Sequence, residues 1–166
     1  MENIGPDTID VWHWHLDMPL SDPGMSIGLL SLDECVRTIR FAHDRDRHRF
    51  VAARTGMRAI LGRYLGILPQ SIDFDYGDNG KPSVMIGGAC PIRFNLSHSA
   101  DLAVLVVSDC YELGVDIEEI RFLKEDIAKW FFSQREYQTL RSLPADGYLD
   151  GFYRCWTRKE AFIKAH

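Results

Sequence analysis

The period of the apolar residues changes three times along this chain of 166 residues, and the resulting order of elements constrains the fold most. Residues 9–17 alternate between apolar and polar side chains, which predicts a strand. Residues 31–41 and 43–66 repeat with a helical period, and a Ser31/Glu34 capping box marks the start of the first helix. Strands are predicted next at 72–76, 91–96, 102–107 and 112–118, and helices at 124–131, 134–143 and 148–166. Strands and helices that come in runs, without regular βαβ alternation, favour an α+β fold.

The composition is that of an ordinary globular protein, with 46% apolar and 26% charged residues. No apolar run approaches the length of a membrane span, and the first residues lack the pattern of a signal peptide. The four cysteines are widely spaced, with no C-x-x-C pair. We therefore expect reduced thiols in a cytoplasmic protein that has no membrane partner.

The net charge of −5 argues against wholesale binding to nucleic acid. Residues 37–63 nevertheless carry eight arginines against Asp44 and Asp46. Such a local cationic surface suits a polyanionic small molecule or an acidic protein. A solvated helix face is the other interpretation, and charge alone does not separate the two.

The last predicted helix places Trp156, Glu160 and Lys164 four residues apart, so they share one face. A carboxylate and an ammonium one turn apart can form an ordinary surface ion pair. They can also form half of a site for phosphate chemistry if another element supplies further acids.

Two such acids, Asp116 and Glu118, lie two residues apart in a predicted strand, so both leave the same face. Alone, this pattern is typical of a half-buried strand with a polar outer face. Together with Glu160, three acids would suit a hard divalent cation such as Mg²⁺, which binds oxygen and bridges carboxylates to substrate phosphates.

Short polar residues, Ser97, His98 and Ser99, also separate two apolar strands at a strand end, where they could reach a ligand. A nucleophile–base pair is rejected, because adjacent strand residues point in opposite directions and no oxyanion-hole motif accompanies them. A phosphate or nucleotide contact and a capped turn remain as alternatives. Lys81, between Gly80 and Pro82, is suited to a phosphate clamp, although this tripeptide is common.

These segments, taken in order, resemble the motifs of the 4′-phosphopantetheinyl transferases, more narrowly the two-lobed, surfactin-synthetase-activating type whose last motif is W-x-x-K-E-A. The segments lie at 41–49, 80–82, 94–99, 114–118 and 156–161, and F-F-S-Q-R-E-Y at 131–137 is a further match. The resemblance implies transfer of 4′-phosphopantetheine from coenzyme A to a serine of an apo acyl or peptidyl carrier protein, with release of 3′,5′-ADP.

The resemblance also implies roles for individual residues. Asp116, Glu118 and Glu160 match the Mg²⁺ ligands. Glu160 further matches the base for the carrier serine, and Lys164 matches a lysine that faces the pyrophosphate. The residues that match coenzyme A contacts are Arg37, Arg40, Arg49, Lys81, Ser97 and His98.

The family fold implies two similar, pseudo-symmetric lobes, here residues 1–100 and 101–166, with the coenzyme A cleft between them. Family members continue beyond the position of Lys164, so we expect the second lobe to be incomplete at its C-terminus. Two other functions stay open: an inactive, shortened relative that binds coenzyme A or the carrier, and a metal-dependent phosphohydrolase. The sequence does not distinguish Mg²⁺ from Mn²⁺ or identify the carrier.

Overall fold

A computed structural model describes residues 2, 4–17, 27–77, 80–123 and 126–166 of the chain. The strands are β1 (Asp10–His15), β2 (Asp75–Tyr76), β3 (Pro82–Ser83), β4 (Arg93–Ser99) and β5 (Leu102–Ser108). The helices are α1 (Leu32–Ile39), α2 (Asp44–Leu65), α3 (Ala128–Phe131), α4 (Gln134–Arg141) and α5 (Tyr148–Ala165), with 3₁₀ turns at Pro69–Ser71 and Ala145–Gly147. Among these residues, no helix is long and apolar enough to cross a membrane. The predicted α+β class is confirmed.

The main sheet is antiparallel, with the strand order β1-β5-β4. Its central strand, β5, pairs with β1 from Leu102 opposite His15 and with β4 from Leu102 opposite Ser99. A tight turn at Ala100, with φ of 51°, joins β4 to β5. A boundary at residue 100 would separate β5 from both of its partners. The division into two similar lobes stays a prediction.

Helix α2 packs on one face of this sheet and forms the main core with it. Met57 and Leu61 of α2, and Leu105 and Val107 of β5, are completely buried. Burying each such side chain contributes roughly 1.5–3 kcal/mol. The helix ends at Gly66, whose left-handed φ of 66° suits glycine.

A buried ion cluster joins α1 to α2. The Glu34 carboxylate, 2% exposed, accepts hydrogen bonds from Arg54 Nε at 2.5 Å and Arg58 Nε at 2.7 Å. Burial alone would raise the pKa of Glu34, but the two guanidinium groups hold it below its ordinary value. Six arginines of the 37–63 stretch form ion pairs within the chain: Arg45, Arg47, Arg49, Arg54, Arg58 and Arg63. These six arginines share four carboxylates, Glu2, Asp17, Glu34 and Asp44, so about half of the positive charge of the stretch is balanced by these ion pairs.

The C-terminal helices form a second, aromatic cluster. Phe152 of α5 stacks on Phe132 and Trp156, with ring centroids 5.3 and 5.7 Å apart. Ser133 caps α4, because its Oγ accepts from Glu136 N while Glu136 Oε2 accepts from Ser133 N. The helix predicted at 124–131 is the single turn of α3, and residues 124 and 125 lie outside the described residues.

Two strand predictions need correction. The strand expected at 72–76 is only the two residues of β2. The strand expected at 112–118 is wrong: no strand is assigned there. Those residues run beside β4, which contacts them through its side chains.

Candidate active site at strand β4 and helix α5

Residues 112–119, here called the acidic segment, are attached to β4 by side chains. The three bonds join Val115 N to Asn95 Oδ1 (2.9 Å), Ile117 N to Ser97 Oγ (3.4 Å) and Glu119 N to Ser99 Oγ (3.0 Å). Alternate residues of a strand point to the same side, so the polar side chains on one face of β4 can accept hydrogen bonds from every second backbone N–H of the segment. The segment therefore follows β4 without forming a backbone ladder, which is why the predicted strand is absent.

The same serine hydroxyls contact the two predicted acids of the segment. Ser97 Oγ donates to Asp116 Oδ1 at 3.1 Å, and Ser99 Oγ donates to Glu118 Oε2 at 3.2 Å. The Asp116 side chain is 4% exposed. Both carboxylates are thus tied to neighbouring positions on β4.

Helix α5 lies directly against this segment. Lys164 Nζ donates to Asp116 Oδ1 at 2.5 Å and to Ser97 Oγ at 3.2 Å. Gly114 permits this approach, since a Cβ there would overlap the Ala161 carbonyl oxygen. The sequence had left open whether the helix meets the acids, and the structure brings Lys164 to Asp116.

The donor set suits a divalent cation in one respect. Asp116 Oδ2 is buried and has no hydrogen-bond partner among the described residues, so one carboxylate oxygen remains available. In the same part of the chain, no three His, Cys, Asp or Glu side chains are already grouped as a metal site. Lys164 supplies the positive charge next to Asp116 in this arrangement. A site made of Asp116, Glu118 and Glu160 stays a prediction.

A basic pocket of about 500 Å³ lies between α1, α2 and β4, and Arg37, Arg49 and His98 are among its lining residues. Arg37 packs over the Phe50 ring at 5.4 Å. The pKa of His98 is lowered, mainly because burial removes solvent from the ring and to a smaller extent because Lys164 and Arg37 are positively charged. The neutral form of His98 is therefore favoured.

Arg49 is held in place by Asp17. The carboxylate accepts from Nε and Nη2 of Arg49, both at 2.6 Å, and also pairs with Arg45. The bond from Arg49 holds the pKa of Asp17 well below its usual range. This fork fixes the guanidinium at the pocket wall.

A second pocket, of about 780 Å³, adjoins the basic one and shares Pro82, Asn95 and Leu96 with it. Lys81 and Lys164 line it, and Lys81 Nζ donates to the Leu113 carbonyl at 2.9 Å. The six predicted coenzyme A contacts are therefore divided. Arg37, Arg49 and His98 line the basic pocket, and Lys81 lines the adjoining one. Ser97 is hydrogen-bonded to Asp116, and Arg40 lines neither pocket.

Sequence reasoning gave no role to two residues that organise this site, Asp17 and Asn95, and it treated Ser99 only as one of the polar residues at the strand end that could reach a ligand. The period-two series Asn95, Ser97 and Ser99 was a visible signal, because polar residues on one face of an otherwise apolar strand need partners. Nothing in the sequence around Asp17 indicated that it pairs with Arg49.

Two family models match the chain. The model described as 4′-phosphopantetheinyl transferase, N-terminal, matches residues 22–110, and that of the 4′-phosphopantetheinyl transferase superfamily matches residues 112–166. The boundary between the two matches falls just before the acidic segment.

Individual relatives agree. The 4′-phosphopantetheinyl transferase HetI of Nostoc sp. is 42% identical over 96% of this chain and 68% of its own length. Sfp of Bacillus subtilis is 32% identical over 90% of this chain and 66% of its own length. AcpT of Salmonella typhimurium is 40% identical over 64% of this chain and 54% of its own length. The chain thus spans between about half and two thirds of the length of these relatives. Family matches along nearly the whole sequence, with relatives of this identity, establish that the chain belongs to the 4′-phosphopantetheinyl transferase superfamily.

Proposed function

We propose that this chain transfers the 4′-phosphopantetheine group of coenzyme A to a serine of an apo acyl or peptidyl carrier protein and releases 3′,5′-ADP. The observation that carries the proposal is the ion pair of Lys164 with Asp116, beside the basic pocket and the pocket that adjoins it. Phosphoryl transfer needs positive charge placed around phosphate oxygens, and this arrangement supplies it. Free cysteines and a coenzyme A substrate fit a cytoplasmic location.

The basic pocket is the proposed site for the nucleotide end of coenzyme A. Arg37 and Arg49 present guanidinium groups, which suit phosphate oxygens, and neutral His98 can donate one ring N–H. Lys81 in the adjoining pocket is placed to meet phosphates nearer the reacting bond. Arg40 is a further proposed contact, although it lines neither pocket.

Asp116, Glu118 and Glu160 are the residues that would hold a divalent cation, since hard carboxylate oxygens suit Mg²⁺ or Mn²⁺. When bound, such a cation polarises the pyrophosphate and offsets its negative charge. The buried, unpartnered Asp116 Oδ2 supports this assignment among the described residues.

Two residues of α5 are the proposed catalytic groups. Glu160 accepts the proton of the carrier serine as its oxygen forms a bond to phosphorus. The bond from phosphorus to the 3′,5′-ADP oxygen breaks, and 3′,5′-ADP leaves with that electron pair. Lys164, an ammonium donor already at the site, stabilises the negative charge on the phosphate oxygens.

The test incubates the full chain with coenzyme A, Mg²⁺ and an apo carrier protein, and follows the carrier by mass spectrometry. We expect the mass to rise by one phosphopantetheine group. Asp116→Ala and Glu160→Ala should abolish this gain, whereas Glu119→Gln, an exposed acid of the same segment paired with Arg121, should not.

Other results would identify the rival functions. Coenzyme A binding without any mass gain would favour an inactive binder. Phosphate release in the absence of a carrier would favour a phosphohydrolase. Wild-type turnover by Asp116→Ala would contradict the role given to that carboxylate.

A further inference from the structure

We propose that Ser99, together with Ser97, is a positioning residue that orients the acid pair for a divalent cation. This inference rests on the proposed function, because it concerns the same acids. It gives Ser97 and Ser99 a role that differs from direct contact with substrate phosphate. The two residues are called the serine clamp below.

Both serines of the clamp make the same two bonds, and Ser97 Oγ accepts a third, from Lys164 Nζ at 3.2 Å. Each serine hydroxyl donates to one acid and accepts the amide of the residue that follows that acid. Ser99 Oγ lies 3.2 Å from Glu118 Oε2 and 3.0 Å from Glu119 N. Ser97 Oγ lies 3.1 Å from Asp116 Oδ1 and 3.4 Å from Ile117 N. A hydroxyl suits this double task, because it has one donor and two acceptor sites.

Asn95, the third polar residue on this face of β4, anchors the acidic segment but does not orient an acid. Asn95 Oδ1 accepts from Val115 N at 2.9 Å, so it anchors the acidic segment in the same way. Its side chain makes no hydrogen bond to an acid in the described part of the chain. Anchoring alone therefore needs only an acceptor. The two positions next to carboxylates carry a residue that also donates.

Orientation of the acids matters because metal affinity depends on it. A free carboxylate rotates among several positions, and a cation that binds two such groups must restrict both. A hydrogen bond to one oxygen restricts that rotation in advance and leaves the other oxygen to the cation. Asp116 shows this division: Oδ1 accepts from Ser97 Oγ and from Lys164 Nζ, and Oδ2 has no hydrogen-bond partner among the described residues. Removing groups that orient metal ligands typically weakens metal binding about 10- to 100-fold.

The test measures binding of Mn²⁺ to the full chain, both without coenzyme A and with it, by electron paramagnetic resonance of the free ion, and the Mn²⁺ bound by coenzyme A alone is subtracted. Ser99→Ala should weaken Mn²⁺ binding about tenfold, and Ser99→Thr, which keeps the hydroxyl, should restore most of it. Ser108→Ala is the matched control. The Ser108 hydroxyl is buried, donates to Thr8 O and accepts from Cys110 N and Tyr111 N, and among the described residues it bonds to no carboxylate. This control should bind Mn²⁺ as the wild type does.

Hydrogen exchange of residues 112–119 in the metal-free protein gives a second readout. Faster exchange in Ser99→Ala than in Ser108→Ala would show that the clamp holds the acidic segment before any cation binds. If Ser99→Ala does not fold, Ser99→Cys, which is similar in size but a weaker donor, replaces it and should also weaken Mn²⁺ binding.

Three outcomes would overturn the inference: unchanged Mn²⁺ affinity in Ser99→Ala, equal losses in Ser99→Ala and Ser108→Ala, or no Mn²⁺ binding by the wild type. Failure of the proposed function looks different. A chain that binds Mn²⁺ in a Ser99-dependent way but never modifies a carrier would keep the clamp and refute the transferase.

Discussion

Replacing Gly114 with alanine would place a methyl group where the acidic segment touches α5. A Cβ at this position overlaps the carbonyl oxygen of Ala161 and lies 2.6 Å from the amide nitrogen of Ala165. Both are backbone atoms of a helix, so neither can rotate away. Real Cβ atoms essentially never approach heavy atoms within 3.0 Å. The segment and the helix must therefore separate, by roughly 1 Å on the scale of these contacts.

This separation should affect stability and chemistry together. Overpacking of this kind costs about 1–3 kcal/mol of the free energy of unfolding. Asp116 follows Gly114 by two residues, and Lys164 immediately precedes Ala165, so the displacement falls on their ion pair. A displacement of about 1 Å in a catalytic group can lower the rate roughly 100-fold. We expect Gly114→Ala to lose about that much transfer activity.

Gly151→Ala is the matched control, in the same helix. Its Cβ meets the side chains of Leu143 and Leu140, which can move, and alanine favours the helix over glycine by up to about 1 kcal/mol. Urea denaturation gives the stability of both variants, and the mass of the carrier gives the transfer rate. Wild-type stability and rate in Gly114→Ala would refute the close approach of α5 to the acidic segment.

Two further predictions concern stability. Glu34→Ala leaves the guanidinium of Arg58, 1% exposed, without its carboxylate and should cost about 3–5 kcal/mol in urea denaturation; a loss below about 1 kcal/mol would show that the cluster is dispensable. Glu136→Gln removes the ion pair with Lys159, whose ammonium is the main reason that the pKa of Glu136 falls from 4.5 to about 2. The lowered pKa favours the folded state only while Glu136 is ionised. The free energy of unfolding of the wild type should therefore exceed that of the variant by about 0.5 kcal/mol above pH 4.5, and the difference should vanish towards pH 2. An advantage that stays constant across this range would contradict the assignment.

The helices could be predicted because their signals are local. Ser31 and Ser133 each lie three residues before a glutamate, and α1 and α4 begin directly after them. The strand at 112–118 was predicted wrongly because alternating polarity indicates an extended chain but not its partner. A strand needs a backbone ladder, and here the polar side chains of β4 occupy the amides instead. That choice depends on contacts about 20 residues apart.

The sequence motifs identified the acids and Lys164 as candidate site residues, but how these residues are arranged in space could be learned only from the fold. Asp116 and Lys164 are separated by 48 residues and meet because Gly114 lets α5 come close. The partners of the arginine-rich stretch also depended on the fold. Its main internal partner, Glu34, lies 20 residues before Arg54, and charge counting within the stretch did not include it.

The ion pair between Lys164 and Asp116 links the two things that the proposed reaction must bind. As long as Lys164 donates to Asp116, the carboxylate already has a cationic partner. A phosphate chain in the adjoining pocket competes for the same ammonium group, because Lys164 also lines that pocket. Drawing Lys164 towards phosphate leaves Asp116 with uncompensated charge, and a divalent cation can then supply that charge. Coenzyme A and the cation should therefore strengthen each other's binding, and linkage requires that the effect be reciprocal.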